Sequence, residues 1–395
     1  MAELDVIPDG AVLVRDGLVS AVGPYRQLAD RGGALPRVEV DGVLFPGFVD
    51  AHTHGVFGRP RLEDHERRAS GMDYQAIAAE GGGILSSVRD VRTRTRDDLL
   101  ALTRRRLGHL LANGSTTIEV KSGYGLDTAT ELRLLEVIGA LATGPPTLIP
   151  TFLGAHEIPA EYRADPDGYV RLLIDEMLPA VAEQGIARFC DVFCEPGVFT
   201  PGQSRRILEA AAALGLGAKL HADELDGSGG AELAVSLRAV SADHLARVSP
   251  SGVAALAGAE TVAVLLPGTM LFLGKTDRAP ARALIDAGGA VALATDFNPG
   301  SSPGMSLPLM ATLGVSQLRM RPAEAILAIT VNGAAAVGEA ATRGQVAPGF
   351  RADLVLAAVR DWRELPYWYG TSLVSEVWVG GAPCHPRSGS VSFVV

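Results

Sequence analysis

Pro46-Gly47-Phe48-Val49-Asp50-Ala51-His52-Thr53-His54 begins as an apolar run and ends in two histidines two residues apart. Residues i and i+2 of a strand project to the same face. His52 and His54 therefore point together from a strand end and supply half of a tetrahedral metal site. A His-x-His alone occurs often by chance, so the other half has to come from elsewhere in the chain.

From this stretch to about residue 342 the sequence alternates apolar runs with helical patterns, the rhythm of a parallel sheet. The runs cover residues 44–50, 116–120, 147–153, 189–193, 218–220, 239–242, 262–266 and 290–294. Thr95-Arg96-Asp97-Asp98 opens one helix with a capping residue and acids, and Asn113-Gly114 closes it. Ser249-Pro250 opens another, and Gly215 and Gly288 sit where helices should stop. Eight strands in this rhythm predict an α/β fold, a distorted (β/α)8 barrel. Both ends of the chain read as β. Arg15-Asp16-Gly17 between apolar runs signals a hairpin, and Val38-Glu39-Val40 reads as a further short strand. The segments 352–356, 376–379 and 391–395 look like strands too. Short strands need partners, so residues 1–45 and 343–395 are expected to build one small β-sandwich domain beside a barrel of residues 46–342.

Composition narrows the function classes. The 395 residues are 47% hydrophobic and 20% charged, enough for a large core. A formal charge of −10 argues against nucleic-acid and anionic-membrane binding. No apolar run reaches membrane-spanning length, and Met1-Ala2-Glu3-Leu4-Asp5 lacks the regions of a signal peptide. A cytoplasmic protein is expected. The three cysteines, Cys190, Cys194 and Cys384, fit a reducing compartment. Cys190 and Cys194 would lie about 13 Å apart along a strand, too far for a disulfide. Gly81-Gly82-Gly83 lacks the Lys-Ser/Thr of a phosphate loop and is read as a loop over the barrel mouth.

Polar residues gather at the C-terminal ends of the predicted strands, the face that carries active sites in barrels. His52, His54, His156, His221 and His244 are all placed there; His65, His109 and His385 are not. Five histidines at one end of successive strands are hard to explain by packing, and they form a convergent group. His52, His54, His221 and Asp296 offer three imidazoles and a carboxylate, a ligand set that suits zinc or iron.

These motifs carry a resemblance. Residues 46–54, His221-Ala222-Asp223-Glu224, Ala242-Asp243-His244 and Asp296 resemble the amidohydrolase superfamily. More narrowly, Val56-Phe57-Gly58, Glu119-Val120-Lys121-Ser122-Gly123-Tyr124-Gly125, Gly154-Ala155-His156, Leu265-Leu266-Pro267-Gly268-Thr269 and the run from Thr295 to Pro303 resemble its imidazolonepropionase family. The resemblance implies hydrolysis of 4-imidazolone-5-propanoate to N-formimidoyl-L-glutamate in histidine degradation, by a metal-activated water. It implies that Arg61 and Tyr124 hold the propionate carboxylate and that His156 lines the pocket. It makes Glu224 the proton carrier in contact with the ring and has His244 orient the water or polarise the carbonyl, with Asp296 both ligand and catalytic group. Asn298, Gly300 and Ser301 would line the substrate or product side, and a homodimer is expected. Arg59 and Arg61 compete for the carboxylate; the spacing from His52 and His54 matches the family pattern at Arg61, leaving Arg59 as a solvated loop charge. Binuclear members carry a carboxylated lysine at the end of strand four. Here that strand ends Phe193-Cys194-Glu195, so one metal per chain is expected. Lys121 is read as structural or substrate-side. Two rivals stand beside this reading. A mononuclear deaminase of the same superfamily would share the ligands but not need Arg61, and a catalytically silent barrel would have dispensed with Glu224 and His244.

Overall fold

The computed structural model of the chain describes residues 4–33, 35–72, 76–77 and 80–385. Two small antiparallel sheets come first and last in the chain. β1 (Gly10–Arg15) and β2 (Leu18–Pro24) form the expected hairpin. Asp16 and Gly17 at its tip have φ of 52° and 77°, the pair of positive values that a type I′ turn requires. β3 (Val43–Pro46), β12 (Leu354–Ala357), β13 (Val374–Val379) and β14 (Ala382–His385) make a four-stranded sheet in the order β14-β13-β12-β3. The two termini thus build neighbouring sheets, as their β character required. Val38-Glu39-Val40 is not a strand; the segment is irregular and Val38 is 69% exposed. Three residues without a ladder partner bury too little to hold an extended strand. The expected strand at 391–395 lies outside the described residues.

The eight remaining strands are all parallel, and each pairs with the next: β4 (Phe48–Asp50), β5 (Ser115–Lys121), β6 (Thr147–Ala155), β7 (Phe189–Cys194), β8 (Gly217–Ala222), β9 (Ser241–His244), β10 (Val262–Leu265) and β11 (Val291–Leu293). The run 44–50, expected as one strand, is divided. Its first half pairs with β12 and its second half opens the barrel. The crossing occurs at Gly47, where a Cβ would lie 2.1 Å from Thr116 Oγ1; only glycine lets the chain pass there.

Polar contacts close the barrel between its first and last strands. Thr53 bridges Phe297, His54 N donates to Phe297 O at 2.8 Å, and Asp296 N donates to His52 O at 3.0 Å. The buried Asp50 carboxylate accepts Thr295 N and Thr295 Oγ1 at 3.0 and 2.7 Å. The strand-eight end carrying Asp296 is thereby laced to the strand carrying both histidines.

Helices cover the barrel where the capping signals place them. The helix Arg96–Ala112 begins with a capping box between Thr95 and Asp98 and is followed by Gly114 at φ 95°. Such a cap contributes about 1 kcal/mol. Ser249 caps Pro250–Leu256, its side chain accepting Gly252 N. Gly83 opens the helix Gly83–Arg92, and its N–H donates to Asp64, so this glycine run serves a protein carboxylate. Cys190 and Cys194 are buried free thiols. Among the described residues no helix is long and apolar enough to cross a membrane.

Candidate active site

The C-terminal strand ends surround a cavity of about 210 Å³. Its lining includes His54, Arg61, Tyr124, His156, His221, Glu224, His244, Asp296, Asn298 and Ser301. His52 lies behind this wall, fully buried, and Gly300 is not part of the lining.

At the base, the donor atoms expected to hold a metal converge. His52 Nε2 and His54 Nε2 are 3.2 Å apart, and His221 Nε2 is 3.4 Å from His54 Nε2. Asp296 Oδ1 lies 3.6 and 3.5 Å from the His52 and His54 nitrogens. Bonds of about 2.0–2.1 Å to a tetrahedral ion would separate ligand atoms by roughly 3.3–3.4 Å, so the spacing fits. The protonation pattern fits too. A carboxylate only accepts, so His52 Nδ1–H donates to Asp243 Oδ2 at 2.6 Å, which leaves Nε2 with a lone pair facing the cluster. Burial, reinforced by neighbouring cationic and imidazole groups, holds His52 and His54 well below the ordinary histidine range, keeping both available as neutral ligands. Burial raises Asp296 to about 6 in the absence of a cation, while Thr269 Oγ1 donates to its other oxygen at 2.6 Å. The donor set fits a divalent metal ion. Asp296→Asn should weaken metal binding about tenfold or more, because a neutral amide is the poorer ligand. Dialysis against graded chelator concentrations followed by elemental analysis reads this directly; unchanged retention would remove Asp296 from the ligand set.

Beneath the ligands lies a buried charge network that the sequence reading did not resolve. Lys121 Nζ contacts Asp191 Oδ2 at 2.7 Å, Glu119 Oε2 at 2.9 Å and Asp243 Oδ2 at 3.7 Å. Asp191 Oδ2 in turn lies 2.9 Å from His221 Nδ1. Burial alone would lower the Lys121 ammonium, but Asp191, Glu119 and Asp243 outweigh it and hold the group charged. Of the two roles open to Lys121, the geometry takes the structural one. Lys219, also inaccessible, meets Glu119 Oε1 at 3.2 Å and the carbonyls of Ala51 and Ala336. A period-two alternation of charged residues within β5 was the available signal, since Glu119 and Lys121 share a face.

On the cavity wall, His156 Nδ1–H donates to Gly123 O at 2.8 Å, and its ring stacks on His54 at 5.0 Å between centroids. Burial lowers His156 to about 3, so the ring is neutral and its Nε2 is an acceptor. Tyr124 is 1% exposed and its ring lies 5.3 Å from His156. The Tyr124 loop is held by Glu131, whose carboxylate accepts Gly123 N, Gly125 N and Leu126 N at 3.0, 2.7 and 2.9 Å. Glu224 Oε2 approaches His244 Nδ1 at 3.5 Å. Burial pushes the Glu224 carboxyl well above its usual range, helped by Asp296 and Glu195; burial holds His244 well below its own.

Arg61 is 7% exposed, and its Nε and Nη1 have no partner among the described residues. Its loop is fastened at several points. Arg61 N donates to Pro299 O at 2.9 Å, and Arg106 donates to the carbonyls of Phe57 and Gly58 while stacking 3.4 Å above the Phe57 ring. Arg59 points elsewhere, 61% exposed and 3.6 Å from Glu63. Gly300 makes room for Arg61: a Cβ there would lie 2.0 Å from Arg61 Nε. Asn298 Oδ1 accepts Gly300 N and Ser301 N at 2.8 and 2.7 Å, and Asn298 Nδ2 donates to Asp296 O at 2.7 Å. Much of this amide's hydrogen-bonding capacity is therefore spent inside the turn.

The family model described as "Amidohydrolase family" matches residues 43–383. A relative from Symbiobacterium thermophilum named imidazolonepropionase is 48% identical over 95% of this chain and 90% of its own length. Another from Geobacillus kaustophilus, with the same name, is 46% identical over 96% of this chain and 91% of its own. Among solved structures, a zinc-bound adenosine deaminase from Xanthomonas campestris superposes with a TM-score of 0.70 at 19% identity, covering 96% of this chain and 89% of that one. Escherichia coli guanine deaminase gives 0.71 at 16% identity, over 96% and 93%. The two solved structures speak for the fold, and the family match and the two closer relatives for descent: the chain belongs to the amidohydrolase family, within its imidazolonepropionases.

Proposed function

We propose that this enzyme hydrolyses 4-imidazolone-5-propanoate to N-formimidoyl-L-glutamate in histidine degradation, with water adding to the ring carbonyl carbon. The observation that carries the reading is Arg61, a buried guanidinium with two nitrogens that find no partner among the described residues, beside a cavity whose floor is a cluster of candidate metal ligands. A substrate with a carboxylate at one end and a hydrolysable carbonyl at the other matches both. His52, His54, His221 and Asp296 hold one metal ion, zinc or iron, which when bound polarises the carbonyl and makes water a better nucleophile.

This chain's residues do the rest. Arg61 and Tyr124 take the propionate, and the acceptor nitrogen of His156 takes a ring N–H. As the oxygen of water bonds to the carbonyl carbon, Glu224 receives its proton. The carbon–nitrogen bond of the ring breaks, and Glu224 returns that proton to the departing nitrogen. A carboxyl with raised proton affinity suits both halves of this transfer. His244, neutral beside Glu224, steadies the water or the carbonyl oxygen. Asn298 and Ser301 bound the product side, and Gly300 acts through Arg61. We read the protein as a cytoplasmic homodimer.

Purified protein incubated with imidazolonepropionate should deplete its ultraviolet absorbance; no turnover by metal-loaded protein would refute the assignment. Elemental analysis should give one metal per chain at full activity, and two would contradict the ligand set proposed. Gly300→Ala should reduce kcat/KM about tenfold, because the added methyl displaces the guanidinium, and roughly 1 Å of misplacement has large kinetic cost. Metal content should stay unchanged. A kcat/KM within twofold of the parent would mean Arg61 has another seat.

A further inference from the structure

We infer that Glu195 is the positioning residue for Glu224, holding the proton carrier's backbone through an anion cradle across two strands. The inference rests on the proton-carrier role proposed above. Glu195 directly follows β7 and is fully buried. β7 and β8 pair with Cys194 opposite Ala222, so Glu195 comes level with the turn that follows β8. Its carboxylate accepts the amides of three consecutive residues: Glu224 N at 2.5 Å and Leu225 N at 3.2 Å on Oε1, and Asp226 N at 3.2 Å on Oε2. Consecutive N–H groups turned to one side form a concave anion site, and here the anion is a side chain from the neighbouring strand.

The contact begins at the amide of Glu224 itself, so it fixes the direction in which that residue leaves the backbone. The far end of the turn is held likewise. Asp223 accepts Ser228 N, Gly229 N and Gly230 N on Oδ1 at 3.0–3.1 Å and Ala231 N on Oδ2 at 2.9 Å. Two carboxylates thus pin a turn whose first residue carries the chemistry. Among the described residues no Lys, Arg or His forms an ion pair with Glu195. Its buried charge is stabilised by those amides. The cradle also keeps a negative charge near Glu224, which contributes to its raised proton affinity after burial and Asp296.

Glutamine at position 195 retains one acceptor oxygen but turns an N–H₂ toward donors, so part of the cradle must open. Glu195→Gln should retain the parental metal content and keep KM within about threefold, while kcat falls about 10–100-fold, the scale of a misplaced catalytic group. Hydrogen exchange of the peptide spanning 222–231 should accelerate. The decisive measurement is a double-mutant cycle: in a Glu224→Gln background, Glu195→Gln should cost less than about threefold. If it costs the full factor there, Glu195 acts independently of Glu224 and the inference fails; a parental kcat in the single variant also overturns it. Should Glu195→Gln not fold, Glu195→Asp, which keeps the charge but shortens the reach, carries the same cycle. A parental rate in Glu224→Gln alone would instead refute the proton-carrier reading, so the two failures are distinct.

Discussion

Replacing Glu224 with glutamine should cut turnover about 10²–10⁴-fold, the usual loss for a general acid–base group, and leave the metal in place. The two expectations come from separate observations. Glu224 lines the cavity and meets His244, but no contact joins its carboxylate to the His52, His54, His221 cluster. Glutamine keeps the shape and one acceptor and removes the titrating proton. Burial raises the Glu224 carboxyl well above the ordinary range, so it holds a proton more tightly than a solvated carboxyl, which suits the proposed proton carrier. Single-turnover rates with saturating substrate, read beside elemental analysis, check both halves. Metal loss in this variant would show that Glu224 is a ligand, and the assignment of Asp296 would need revision.

How much of this was legible beforehand follows from which physical signal each residue carried. The convergence of the His-x-His pair, His221 and Asp296 was readable because candidate metal ligands are particular side chains at strand ends, and strand periodicity places them. The barrel was readable from its eight apolar runs. The division of residues 44–50 between two sheets was not, because Val43–Pro46 runs into Phe48-Val49 as one apolar stretch. Only the Gly47–Thr116 approach separates them, and that contact is long-range. The supports of the site were hidden for the same reason. Glu131, Glu195 and Asp223 act through backbone amides, which have no sequence signature. Lys121 was visible as a lysine, but its role depended on Asp191 and Asp243, 70 and more residues away. Gly300 was expected among the lining residues and instead makes room for Arg61, because what matters there is an absent side chain.

Arg61→Lys is expected to lower kcat/KM about 10- to 150-fold, which corresponds to the roughly 1.5–3 kcal/mol of a charge-assisted hydrogen bond. The charge survives this substitution, so the loss tests geometry. A guanidinium offers two parallel N–H groups to a carboxylate, and an ammonium cannot reproduce that fork. The surroundings are built for the planar group: its backbone is tied to Pro299, its guanidinium rests where Gly300 has no side chain, and two of its nitrogens find no acceptor among the described residues. Buried guanidinium N–H groups without an acceptor are costly, and a substrate carboxylate would relieve that cost. Metal content should not change, since none of these contacts reaches the donor atoms. The discriminating measurement uses an imidazolone whose side chain ends in methyl instead of carboxylate: parent and Arg61→Lys should differ far less on that compound. The deaminases that share this fold give no reason for such a difference, because removing an exocyclic amine from a base requires no contact with a propionate. Equal loss on both compounds would make Arg61 a support of the metal-bearing loop and leave the preference for a propionate substrate without its physical basis.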